Sequence, residues 1–62
     1  MGWRREIRDR IAELEQQRLR LEQERRRARR LGDSESERLE AELRAKVQQI
    51  SHHIDDLRAS LR

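Results

Sequence analysis

The sequence has no cysteine, no proline, no phenylalanine and no tyrosine, and Trp3 is its only aromatic residue. Without cysteine there is no disulfide framework, no thiol nucleophile and no cysteine-based zinc site. Glycine occurs only at Gly2 and Gly32. No apolar run approaches the ~18–20 residues that span a bilayer, and no secretory signal opens the sequence, so a cytoplasmic chain is expected. At 62 residues it forms one structural unit at most. A unit of that size does not wall off a ligand pocket of a few hundred Å³ by itself. No glycine-rich phosphate loop, metal-ligand cluster or nucleophile–histidine arrangement is present. The carboxylates are numerous, but nothing in the pattern separates a general acid from a general base. The expectation is therefore no enzyme, no catalytic residue, no cofactor and no metal.

What the sequence does have is charge, 47% of residues against 32% hydrophobic. Such a balance often means disorder. Here the abundant residues are Arg, Glu, Leu, Ala and Gln, strong helix formers whose patterned excess reads as a long helix or coiled coil. All of the 16 basic residues except Lys46 are arginine. That bias fits GC-rich coding and points to a bacterial or phage source.

The apolar pattern decides for helix. In heptad terms Ile7, Leu14, Leu21 and Ala28 take position d, and Arg4, Ile11, Arg18 and Arg25 take a. In the second half Leu43, Ile50 and Leu57 take d, and Val47, Ile54 and Leu61 take a. No period-two stretch argues for a strand. Between the halves, Gly32 suits the left-handed residue after a helix. Ser34 and Glu37 have capping-box spacing, with Asp33 and Ser36 as alternative caps. The halves cannot share one straight helix. Ala28 and Leu43 both sit at d yet are fifteen residues apart, two heptads plus one. A continuous helix would swing the second stripe about 100° off the first.

A turn removes the conflict. The expected fold is all-α: an antiparallel, coiled-coil-like two-helix hairpin, with helix 1 over about 3–31, a turn over about 32–35 and helix 2 over about 35–62. Folding about Ser34 sets Ile7 against Leu61, Ile11 against Leu57, Leu14 against Ile54 and Leu21 against Val47. It also sets Arg18 against Ile50 and Arg25 against Leu43. The core and oligomer interface is expected at Ile7, Ile11, Leu14, Leu21, Leu43, Val47, Ile50, Ile54, Leu57 and Leu61. Leu14, Leu21, Val47, Ile50 and Ile54 are expected among the most buried. Two helices cover only one side of each stripe, so a second copy is expected to complete the core as a four-helix bundle. Trp3, Leu31 and Leu39, all at g, and Leu19 at b widen the apolar surface and are candidate partner contacts.

Three charged features bear on function. Arg25, Arg26, Arg27, Arg29 and Arg30 are a candidate phosphate-binding run. The acidic start of helix 2, with Asp33, Glu35, Glu37, Glu40 and Glu42 against Arg38 alone, is expected to pair with them instead, and both blocks suit the helix dipoles. Arg18 and Arg25 at core-facing positions are tolerated if the stems pack and the heads reach an edge, with Glu22 and Glu40 as partners for Arg25. His52 and His53 are neighbours on a helix and so do not chelate one ion.

The hairpin-dimer plan is similar to that of small plasmid-encoded RNA-binding hairpins and of phage-encoded host inhibitors. That likeness is architectural and carries over no residue. The expected function is a self-associating, non-enzymatic protein–protein interaction module, a regulator or inhibitor of a larger partner. The alternatives are a nucleic-acid-binding dimer and a structural assembly subunit. No membrane and no small-molecule substrate is expected among its partners.

Overall fold

The computed structural model describes residues 2–62, and among them there are two helices and no strand. Helix α1 spans Trp3–Leu31 and helix α2 spans Ser34–Ala59. They fold back on each other into an antiparallel hairpin 48 Å long and 15 by 11 Å across. Helix α2 starts one residue before the expected 35 and ends at Ala59 rather than 62. Its last turn tightens: Ser60 N–H donates to the Asp56 and Leu57 carbonyls, and Leu61 N–H to Arg58.

The turn is two residues. Gly32 ends α1 at φ 69°, in the left-handed region. Asp33 is extended, and its carboxylate accepts a hydrogen bond from Ser36 N–H at 2.7 Å. Asp33 is thus the cap of α2, and the Ser34–Glu37 capping box is not formed. The reason is register: starting at Ser34 gives Asp33 the cap position and places Ser36 at d, where it is buried. Gly32→Ala should lower stability by about 1–2 kcal/mol, because a Cβ strains the left-handed backbone although space around it is open. A thermal melt followed by circular dichroism checks this.

Every a and d residue from Ile7 to Leu61 on the two stripes is buried or half-buried, Arg18, Arg25 and Glu40 included. The tightest cluster joins Ile11, Leu14 and Ile54, with Ile7, Ile50, Leu57 and Leu61 packed around it. Near the turn Ala28, Ser36 and Leu43 are buried. Small side chains at Ala28 and Ser36 suit the convergence of two helices into a two-residue turn. Leu21, Val47 and Ile50, expected among the most buried, are only half-buried. They lie mid-hairpin, where Arg18 takes a stripe position in place of an apolar side chain and one flank of the seam is open.

Candidate functional site

The site of interest is the turn end of the hairpin and the two flanks that lead away from it. The flanks differ. At e, Glu15, Glu22 and Ser51 are half-buried, while every g residue (Trp3, Arg10, Gln17, Glu24, Leu31, Leu39, Lys46, His53 and Ser60) is exposed. The polar bonds between helices follow the same division. Arg58 at e donates to Glu15 at e, 3.2 Å. Arg18 at a reaches out to Ser51 at e, 3.4 Å, which is how a core-facing arginine keeps its head at the edge. Arg29 at e donates to Glu40 at a, 3.3 Å. Among the described residues no g side chain bonds across to the other helix; Arg10 pairs only with Glu13 on its own helix. The hairpin is closed along e and open along g.

Glu40 is the centre of the turn end. In the register that levels Leu14 with Ile54, it lies level with Ala28, whose methyl group leaves room for a carboxylate. Arg25 Nε approaches it at 3.4 Å and Arg29 Nη2 at 3.3 Å. Arg25 and Glu40 keep only 29% and 25% of their side chains exposed, so solvent screens this pair less than the Glu15–Arg58 pair. The Arg25 hydrogen bond, aided by Arg29, holds the Glu40 carboxyl below its usual value. The hydrogen bonds with Ser36 do the same for Asp33. Both groups bind protons more weakly folded than unfolded. The stability they contribute is therefore present above the unfolded carboxylate range and lost as pH falls through the folded values. We expect the hairpin to lose stability on acidification below about pH 4.5, the ordinary Glu value. Glu40→Gln should flatten part of that loss, as read from melts between pH 3 and 7.

The expected pairing of the arginine run with the acidic segment is realised only in part. Arg25 and Arg29 share Glu40, whereas Glu22, the other expected partner of Arg25, makes no ion pair. Among the described residues Arg26, Arg27 and Arg30 form no salt bridge, nor do Glu35, Glu37 and Glu42. Arg26, Arg27 and Arg30 occupy b, c and f, positions that turn away from the facing helix. The signal for this was the heptad itself: carried back from Leu43, it puts Glu40 at a and leaves Glu35 and Glu42 at c.

The four candidate partner contacts are all exposed: Leu31 at 70%, Trp3 at 55%, Leu19 at 49% and Leu39 at 46%. Leu31 and Leu39 share the g flank at the turn end, Trp3 lies on the same flank at the open end with Arg4 5.5 Å from its ring, and Leu19 lies apart from them. The surface recesses are shallow and lined mainly by charged side chains, one by Glu22, Arg25, Arg26 and Arg29 on α1 and one along α2 from Glu37 to Gln48. Among the described residues no three metal-ligating side chains converge, and His52 and His53 are both exposed. Among the described residues no helix is long and apolar enough to cross a membrane. No family model matches the chain, and neither a curated protein nor a solved structure matches it.

Proposed function

We propose that this chain is a non-enzymatic helical interaction module that self-associates and acts as a regulator or inhibitor of a larger protein, in the cytoplasm of a bacterium or its phage. The observation that carries the reading is the open g flank. Six of its large stripe residues (Ile7, Leu21, Val47, Ile50, Leu57 and Leu61) are only half-buried, and Trp3, Leu31 and Leu39 stand exposed on one flank. Isolated exposed leucines are ordinary; Leu31 and Leu39 exposed together at the turn end, beside an incompletely covered core, support an interface there. The e flank, sealed by ion pairs, is suited to face solvent.

A second reading, a nucleic-acid-binding dimer, is favoured by one observation: among the described residues Arg26, Arg27 and Arg30 form no ion pair with a carboxylate. Two observations weigh against it. Net charge is only +3, and no aromatic residue is interleaved with the arginines to stack on bases. A third reading, a passive assembly subunit, uses the same surfaces without a regulated partner.

Titration against duplex DNA and a structured RNA, at 50 and 200 mM salt, separates the first two. We expect weak, nonspecific binding at the lower salt that disappears at the higher. Binding below micromolar at 200 mM salt, abolished by Arg26→Glu with Arg30→Glu in a folded protein, would establish the nucleic-acid reading instead. A log–log salt slope of about −0.7 to −0.9 per phosphate neutralised would accompany it.

A further inference from the structure

The charge of this molecule is not spread along it. From Trp3 to Gln17, and again from Ser51 to Arg62, acids and bases cancel in number. The imbalance lies at the turn end. Arg25 to Leu31 carries five arginines and no acid, and Asp33 to Leu43 carries five carboxylates against Arg38 alone. The Arg25–Glu40–Arg29 cluster removes two of those arginines and one of those carboxylates. What remains without an ion pair among the described residues is nearly balanced: Arg26, Arg27 and Arg30 on α1, and Glu35, Glu37 and Glu42 with Arg38 on α2, beside the capping Asp33. Two opposite charge blocks of similar size stand side by side at one end of the hairpin, with Leu31 and Leu39 exposed there on the open flank.

We infer that the occupant of the g flank is a second copy of this chain, docked with its turn at the same end, so that the two-fold axis runs along the helices. This rests on the self-association proposed above and adds its geometry. In that arrangement each α1 lies beside its own α2 and, on the g side, beside the partner's α2 at the same height. Arginine-rich and acidic segments then alternate around the four corners of the bundle. On the g side Arg27 of each copy then lies beside the acidic segment of the other, where Glu35 and Glu42 take c, twice by symmetry. Arg27 and Glu42 are both at c, next to g, and level to within one residue in the hairpin register, so Arg27 of each copy faces Glu42 of the other. The exposed Leu31 and Leu39 of both copies are covered together.

The opposite arrangement, with turns at opposite ends, gives the arginines no such match. It sets the run beside the chain ends, where residues 3–9 hold Arg4, Arg5 and Arg8 against Glu6 and Asp9 and residues 55–62 hold Arg58 and Arg62 against Asp55 and Asp56, so no acidic block meets it. Complementarity of this kind fixes orientation and suppresses the wrong pairing more than it adds raw affinity.

The chain has no native cysteine, so Ser34→Cys at the exposed start of α2 gives one spin label per copy. Sedimentation equilibrium on the labelled protein reads association, and pulsed electron–electron resonance reads the label separation. We expect a dimer with labels within about 25 Å, as interaxial distances of ~8–10 Å and two tethers allow. A dimer with labels separated by about the 48 Å length of the hairpin would overturn the orientation while leaving self-association standing. A monomer at all concentrations would overturn self-association itself. A charge exchange checks the contact independently. Arg27→Glu should weaken dimerisation by about tenfold or more, since like charges then face each other, and Arg27→Glu with Glu42→Arg should restore it. Failure of the double variant to regain affinity, in a helical protein, would remove the Arg27–Glu42 pairing and with it the charge argument for orientation.

Discussion

Ile54→Asp is expected to unfold the hairpin. Among the described residues Ile54 is the one large side chain with no exposed surface, and it packs with Ile11 and Leu14 in the tightest cluster of the core. The substitution removes a buried isoleucine, which alone costs about 2–5 kcal/mol when truncated. It also places a carboxylate in an apolar cluster with no donor to satisfy it, which adds several kcal/mol unless the group takes up a proton. Small domains with a single core rarely hold more than about 3–5 kcal/mol in total. Loss of the helical circular dichroism signal at neutral pH is the expected result. Ile50→Asp should be milder, because Ile50 is half-buried and its carboxylate can reach water. Arg10→Ala removes only an exposed i,i+3 ion pair and should change stability by less than about 0.5 kcal/mol. A folded Ile54→Asp protein would mean that the seam is not where the a and d stripe puts it.

The second large effect is on association. Leu31→Ser with Leu39→Ser should weaken self-association by at least about a hundredfold, since a symmetric dimer loses four apolar side chains at once, each worth about 1.5 kcal/mol or more when covered. The isolated hairpin should barely notice, because those leucines are 70% and 46% exposed in it. Association measured by sedimentation therefore falls, while helix content at high protein concentration is kept. Leu19→Ser, on the sealed side, serves as the comparison and should leave association unchanged. Equal effects of the two changes would remove the distinction between the flanks.

Much of this was legible in the sequence, and the limits are physical. A 3.5-residue period names which residues face the neighbouring helix, so the stripe, the turn at Gly32 and the pairing level of Leu14 with Ile54 followed from spacing alone. Glu40 was legible as one of two partners for Arg25, Glu22 being the other. The period does not say how far each helix rolls about its own axis. Whether the e or the g flank closes is a matter of roll, so Trp3, Leu31 and Leu39 were recognisable as surplus apolar residues but not as one open edge. Capping was ambiguous for a different reason: Asp33, Ser34 and Ser36 are all good caps, and burial of Ser36 at d decides for Asp33. The acidic and basic blocks looked mutually neutralising because they are close in sequence. On helices, neighbours in space are set by heptad position, and Arg26, Arg27 and Arg30 at b, c and f are turned away from the carboxylates of their own chain.

The open flank matters because the hairpin is proposed to be half of a larger core. Sedimentation equilibrium of the unmodified chain, over protein concentrations from about 1 to 100 μM at neutral pH and 0.15 M salt, measures that directly. The expected mass is twice the 7.6 kDa of one chain across most of the range, with dissociation and loss of helix on dilution. A single species of 7.6 kDa throughout, melting sharply at a temperature independent of concentration, would show that the open flank needs no second copy.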